Sequence, residues 1–261
     1  VLAIATNDAN EEDGLTLLGL VAIMDVPREE VKEALKKCYA AGIRTIMITG
    51  DNEKTAAAIG RTIGLRFDGV LTGSDVAKLS DEELQDALKE KTYVFARMAS
   101  GQKLKIADAL QSNGEIIAMT GDGVNDAPSL KRADIGISMG SGTDVAKEAS
   151  DMILLDDNFN SIVSAIEEGR TVYFNIKKFV TYILSSNVPE IVPYLLSFFL
   201  KIPNPLSVIQ ILSIDLGSDM LPGLALGSEA PEENVMKRAP VGKDEKILDF
   251  EVFKRGYFFI G

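Results

Sequence analysis

The chain has 261 residues, enough for one or two domains with a real core, and 27 basic against 39 acidic residues give a net charge of −12. That balance argues against nucleic acid as a partner. Without histidine there is no Ser-His-Asp relay and no His-ligated zinc, and the single Cys38 forms neither an internal disulfide nor a thiolate cage, a usage that fits a reducing compartment.

The first two-thirds alternates between strand and helix. Apolar runs of strand length occupy 17–24, 45–49, 93–96, 115–120, 135–138 and 152–155, and helical patterns occupy 29–41, 52–63, 102–112 and 145–150. Ser80, followed three residues later by Glu83, forms a capping box that opens a short helix to about 89. Strand–helix alternation of this kind predicts an α/β, Rossmann-like parallel sheet, with ligands gathered at the carboxyl ends of the strands.

Two strand ends carry the chemistry. Thr49, Gly50, Asp51 and Asn52 follow the run at 45–49, and Thr120-Gly121-Asp122-Gly123-Val124-Asn125-Asp126-Ala127-Pro128 follows that at 115–120. Glycines let backbone N–H groups approach an anion, and hydroxyl and amide groups hold phosphoryl oxygens. Asp122 and Asp126 are hard oxygen groups suited to Mg²⁺, as ligands or as holders of ligands. Thr-Gly-Asp alone is also ordinary turn chemistry, but the longer run holds more special residues than a turn requires. Lys103, early in the helix at 102–112, supplies a counter-charge. Arg97, just past the strand at 93–96, is a second candidate.

The last third is different. Residues 179–200 form a 22-residue stretch whose one ionisable side chain is Glu190, and 206–226 a 21-residue stretch with only Asp215 and Asp219. Each is long enough to cross a hydrocarbon core. The 201–205 loop between them carries one lysine, whereas Arg170, Lys177 and Lys178 precede the pair and Lys237, Arg238 and Lys243 follow it. The positive-inside rule places both ends, and the α/β domain, in the cytoplasm. The alternative is a buried helical hairpin in a soluble protein. The expected organisation is an α/β domain over 1–166, a continuous stalk helix over 167–178, a transmembrane hairpin over 179–226, and a cytoplasmic loop leading to a further span over 227–261.

A carboxylate in mid-bilayer costs on the order of 3 kcal/mol on insertion scales, so three of them need a reason. Glu190, Asp215 and Asp219 all fall near the midplane. Asp215 and Asp219 share one helix face, as do Asn187 and Glu190. Pro189 frees a carbonyl near Ser185, and Ser218 adds a hydroxyl. This predicts an oxygen cage for Na⁺, K⁺, Ca²⁺ or protons, the alternative being hydrogen-bonded helix–helix contact.

At this point the motifs become recognisable. The run from Met119 to Lys131 with Ala133-Asp134-Ile135-Gly136-Ile137-Ser138-Met139-Gly140 resembles the hinge segment of P-type cation-transporting ATPases. Asp25-Val26-Pro27-Arg28, Thr49-Gly50-Asp51 and Phe95-Ala96-Arg97 with Lys103 match in family order. The resemblance implies a haloacid-dehalogenase-type phosphorylation domain, in which ATP phosphorylates the aspartate of Asp-Lys-Thr-Gly-Thr. It implies that Asp122 binds Mg²⁺, Lys103 steadies the phosphoryl group and Thr49 contacts it. Gly50, Asp51, Arg97 and Asn125 would line the nucleotide and phosphate side. The segments around Asn187, Pro189 and Glu190 and around Asp215, Ser218 and Asp219 resemble the fifth and sixth membrane helices of these pumps. Asp215, together with a serine rather than a lysine at Ser186, tilts the expectation toward a monovalent cation over Ca²⁺.

One departure matters: the chain contains no Asp-Lys-Thr-Gly-Thr. It is therefore expected to be part of a longer pump, its partners being the missing nucleotide-binding and actuator domains, the other membrane helices, the bilayer and the transported cations. Two rival readings are a haloacid-dehalogenase-type phosphatase and a catalytically inactive truncated subunit.

Overall fold

Parallel strands joined by helices that run back along the sheet dominate the amino-terminal part of the computed structural model, which describes residues 2–7, 14–22, 26–203, 205–242 and 245–254. Strands β3 (Met47–Ile48), β4 (Gly69–Thr72) and β5 (Tyr93–Ala96) form one parallel sheet in the order β3-β5-β4. Strands β6 (Ala118–Gly121), β7 (Ile135–Met139) and β8 (Met152–Leu154) form a second, in the order β6-β7-β8. The 17–24 run is corrected in partnership. Its strand, β2 (Thr16–Val21), pairs antiparallel with β1 (Leu2–Thr6) in a hairpin exposed along most of its length. Two apolar runs close together in sequence pair locally before either can reach the distant sheet.

Helix boundaries follow local chemistry. The Asn52 side chain accepts from Thr55 N–H at 3.0 Å and starts α2 (Glu53–Ile63), which Gly64 ends with φ +78°. Capping boxes at Thr72 and Ser80 start α3 (Gly73–Lys78) and α4 (Asp81–Glu90). With α1 (Glu30–Ala40), α5 (Ser100–Ser112), α6 (Ala127–Arg132) and α7 (Asp144–Glu148), these helices cover the sheets.

The two sheets share their packing layers. Phe95, Leu84, Ile106 and Leu110 form one buried cluster, against which both Ile48 of β3 and Ile117 beside β6 pack. On other surfaces Phe159 packs against three separate core clusters. Arg44 and Glu115, just before β3 and β6, form an ion pair at 3.2 Å. Yet the facing edges of β3 and β6 pair with no strand among the described residues. The two strands that carry the Thr-Gly-Asp turns are thus both edge strands with a free edge.

Helix α8 (Phe159–Leu200) is a single 42-residue helix, capped by Asn158, that leaves the sheet and continues through Glu190. A tight return leads to α9 (Val208–Gly227), 20 residues long. Both are long and apolar enough to cross a membrane, and only 12% and 6% of their most apolar windows are buried. Phe198, Phe199, Val208 and Ile209 are at least three-quarters exposed, which rejects the reading of a hairpin packed inside a soluble core. A short helix, α10 (Phe250–Lys254), ends the described chain. The calls on Asp25, Lys243, the Pro189 side chain and the rest of the expected further span lie outside the described residues.

Ser138 of β7 is fully buried and its hydroxyl has no partner among the described residues. An unmatched buried hydroxyl costs about 1–3 kcal/mol of desolvation. Ser138→Ala is expected to raise stability by about 1 kcal/mol in denaturation followed by circular dichroism. A loss of stability would contradict the assignment of that hydroxyl as unsatisfied.

Candidate functional site

The turn after β6 is built around one carboxylate. Asp126 is 7% exposed, and its Oδ2 accepts the backbone N–H groups of Asp122 (3.3 Å) and Gly123 (3.2 Å). Its Oδ1 accepts from Lys103 Nζ at 2.5 Å. A Cβ on Gly121 would stand 2.5 Å from the Asp126 Cβ, so the residue there must be glycine for the turn to close. Burial pushes the Asp126 carboxyl up, but the Lys103 ammonium and the two amides outweigh it and hold the group below the usual carboxylate range. Asp122 differs from its neighbour. Its side chain is exposed and makes no hydrogen bond or ion pair among the described residues. Asn125 is likewise exposed in the same turn.

The other half of the site hangs from β3 and β5. Thr49 Oγ1 accepts from Asp51 N–H at 3.1 Å, and Thr49 N–H donates to Phe95 O at 2.8 Å. Arg97 N–H donates to Asp51 O at 2.8 Å, with Arg97 itself at φ +51°. A non-glycine residue in that region is strained and persists where its surroundings over-determine it. Thr49, Gly50, Asp51 and Arg97 thus form one group, and Lys103, Asp122, Asn125 and Asp126 another. No hydrogen bond or ion pair joins the two groups among the described residues. They hang from different sheets, that of β3 and β5 and that of β6.

The second cluster lies far along α8. Carboxylate oxygens of Glu190, Asp215 and Asp219 all lie within 4.8 Å of one another. Glu190 Oε1 is buried and has no hydrogen-bond partner among the described residues. Asp215–Asp219 is a π-type turn inside α9, a wider turn than the α-helix and one often found at functional sites. Ser218 Oγ donates to Ile214 O (2.8 Å) and Asp219 Oδ1 (3.2 Å), and Tyr182 Oη donates to Asp219 Oδ1 at 3.4 Å. Asn187 stands one turn before Glu190 on α8, partly buried.

Comparison with known proteins gives these clusters a family. Residues 2–134 match the haloacid dehalogenase-like hydrolases, and residues 203–261 match the C-terminus of cation transporting ATPases. A calcium-transporting ATPase of Bacillus subtilis (strain 168) is 52% identical over 257 residues, covering 96% of this chain and 29% of that protein. The sodium/potassium-transporting ATPase subunit alpha-2 of Pongo abelii is 45% identical over 95% of this chain and 27% of its own length. The chain belongs to the haloacid dehalogenase-like hydrolases, in their P-type cation-transporting ATPase branch. A crystal structure of a zinc-transporting PIB-type ATPase in the E2.Pi state aligns with TM-score 0.59 and 28% identity, over 85% of this chain and 30% of that one.

This P-type ATPase chain spans under a third of the length of those curated relatives. It is a membrane protein with its α/β domain on the cytoplasmic side. Several residues that position the two clusters were not legible as such. Thr143 N–H donates to Asp122 O at 2.8 Å, bracing the turn from the Gly-Ser-Gly-Thr loop. Gln102 bridges Ala99 N–H and Gly73 O. Tyr182 stands about two helical turns from Glu190 on the same face, a spacing that marks it as a neighbour of the intramembrane acids.

Because its folded pKa lies below the unfolded value, Asp126 stabilises the fold fully above the ordinary carboxylate range, and that contribution fades as pH falls through the folded value. Lys103→Met is expected to remove roughly 2 kcal/mol at pH 7, less at pH 4, with Lys103→Met/Asp126→Asn restoring part of it. Equal losses at both pH values in denaturation experiments would contradict this.

Proposed function

We propose that this chain supplies the phosphate-handling and ion-binding segments of an ATP-driven pump that moves cations, Na⁺/K⁺ or Ca²⁺, across a membrane. The observation that carries the reading is the cluster of Glu190, Asp215 and Asp219. Acids gathered at membrane depth on apolar helices mark an ion path. The same α8 that bears Glu190 begins packed against the two sheets that bear the Thr-Gly-Asp turns. A phosphatase of the same fold has no use for that intramembrane cluster.

In this reading 1–166 belongs to the phosphorylation domain, 167–178 is the stalk, 179–226 the hairpin with the cation site, and 227–261 the following loop and start of a span. The open carboxylate of Asp122 fits Mg²⁺, which prefers one or two carboxylates together with phosphate oxygens and water. When bound, the ion neutralises charge on phosphoryl oxygens. The other groups do work of their own. Asp126 holds Lys103 and the Asp122 amide in place, and the Lys103 ammonium faces the phosphoryl group. The Thr49 hydroxyl accepts from Asp51 N–H and keeps its proton to donate to a phosphoryl oxygen. Gly50, Asp51, Arg97 and Asn125 line the nucleotide side.

The attacking carboxylate comes from outside this chain, within an Asp-Lys-Thr-Gly-Thr motif. A parallel strand pairing with the free edges of both β3 and β6 would deliver it between Thr49 and Asp122. Cycling between phosphorylated and free states then biases two arrangements of the domains, each exposing the intramembrane oxygens to one side. Asn187 and Ser218 add neutral oxygens to the three acids, and Asp215 supplies a further acid that favours a monovalent ion.

The isolated chain is expected to show no sustained Mg²⁺-dependent ATP hydrolysis; turnover by the pure chain would overturn the assignment of the nucleophile. In the full-length pump, Asp219→Asn is expected to weaken cation stimulation of phosphorylation about tenfold, the effect of some 1.4 kcal/mol at the ion site. Unchanged cation dependence would count against the ion site.

A further inference from the structure

At the pole of the sheet opposite the Thr-Gly-Asp turns, a cavity of about 660 Å³ opens between Arg61, Arg66, Phe67, Asp68, Gly69 and Thr92. Arg61 closes α2, and Arg66 lies in the turn leading to β4. Both guanidinium groups lie over aromatic rings, Arg66 closely and Arg61 at the outer reach of a cation–π contact. Arg66 Cζ stands 4.4 Å from the centroid of Tyr39 and Arg61 Cζ 5.9 Å from that of Phe67. Tyr39 is itself held in place, because its hydroxyl accepts the Arg66 backbone N–H at 2.9 Å. A ring contact of this kind restrains a guanidinium, Arg66 more than Arg61, and leaves the N–H groups of its edge available.

Among the described residues those N–H groups have no acceptor. Neither arginine forms an ion pair or donates a side-chain hydrogen bond among the described residues, in a chain with 39 acidic residues. Asp68, the acid on the cavity wall, is already engaged: its Oδ2 accepts from Thr92 N–H at 2.8 Å and its own N–H donates to Thr92 O. Since Asp68 N–H points toward β5, strand alternation turns Gly69 N–H to the free outer edge of β4. Two arginine forks, that of Arg66 held over Tyr39, and an edge amide thus line one space with a surplus of positive charge.

We propose that this cavity binds a phosphate-bearing anion. A guanidinium fork matches two phosphate oxygens at once, and a tetrahedral phosphate offers enough acceptors for two forks and an amide together. The volume falls in the range of small-molecule sites rather than that of a lone ion. The site is separate from the Asp122 turn and does not depend on the pump reading. The phosphate has two sources, a lipid headgroup or a soluble phosphate compound. Arg170 of α8 donates to Ala41 O at this same pole, and the apolar stretch beginning at Phe179 lies about 14 Å further along the helix. The helix that would enter a bilayer thus passes this pole of the domain.

The test uses the full chain in maltoside detergent, which carries no phosphate, without Mg²⁺. It is titrated with pyrophosphate while the ring resonances of Tyr39 and Phe67 are followed by NMR. Saturable shifts of both rings are expected, weakened about tenfold or more by Arg61→Gln or by Arg66→Gln. Arg66→Lys, which keeps the charge but loses the fork, should weaken binding as well. Both arginines are exposed, so an unchanged circular dichroism spectrum verifies folding of each variant. Repeating the titration in nanodiscs containing phosphatidylglycerol separates the sources. Rings shifted beforehand and pyrophosphate competing identify the lipid headgroup, and an unaltered titration identifies a soluble phosphate compound. No saturable ring shift in either medium, or shifts indifferent to both arginine substitutions, would overturn the proposal.

Discussion

The structure depends on the continuity of α8. One helix of 42 residues, roughly 63 Å long at its ordinary rise, begins against the sheet and ends beyond Glu190. Its first turns are locked in the domain by the buried side chains of Ile162 and Val163. About three turns in, the Arg170 guanidinium donates to Ala41 O, Val235 O and Arg238 O, fastening the rod to the end of α1 and to the segment after α9. Lys177 then pairs with Asp249 at 2.6 Å, and Lys178 with Glu229 and Glu232 at 2.6 and 2.8 Å. A rod held at these levels cannot move at one end without loading the other.

The two clusters at the ends of that rod follow opposite electrostatic designs. At the Asp122 turn, the buried acid is Asp126, and it is matched by an ammonium and two amides, which leaves Asp122 open to solvent. In the intramembrane cluster the acids face one another without a basic partner in contact, and one oxygen of Glu190 has no hydrogen bond at all among the described residues. A buried polar group without a partner is costly in an apolar setting. The first arrangement is self-sufficient, whereas the second requires a cation or protons to complete it.

Much of this was legible because the governing chemistry is local. Tyr93–Ala96 appears where an apolar run of strand length predicted it, and the Ser80–Glu83 box starts its helix as its side chains dictate. The two apolar spans follow from length and composition. Features set by topology were not legible. Lys103 was legible as a counter-charge for the site, but its direct pairing with Asp126 joins residues that the crossover through α5 brings together. The four-residue β4 is too short for its periodicity to stand out, and the run at 2–6 that pairs with β2 is likewise short. The π-type turn at Asp215–Asp219 widens an otherwise regular helix through contacts that spacing alone does not encode.

The most direct test of the account breaks the rod while leaving both clusters intact. Inserting Gly-Gly between Val172 and Tyr173 of the full-length pump interrupts α8 between the sheet and the span. If α8 transmits the state of the phosphate turns, cation binding and basal phosphorylation persist in the variant but no longer respond to each other. Phosphorylation that still rises with cation as in the unmodified pump would contradict it.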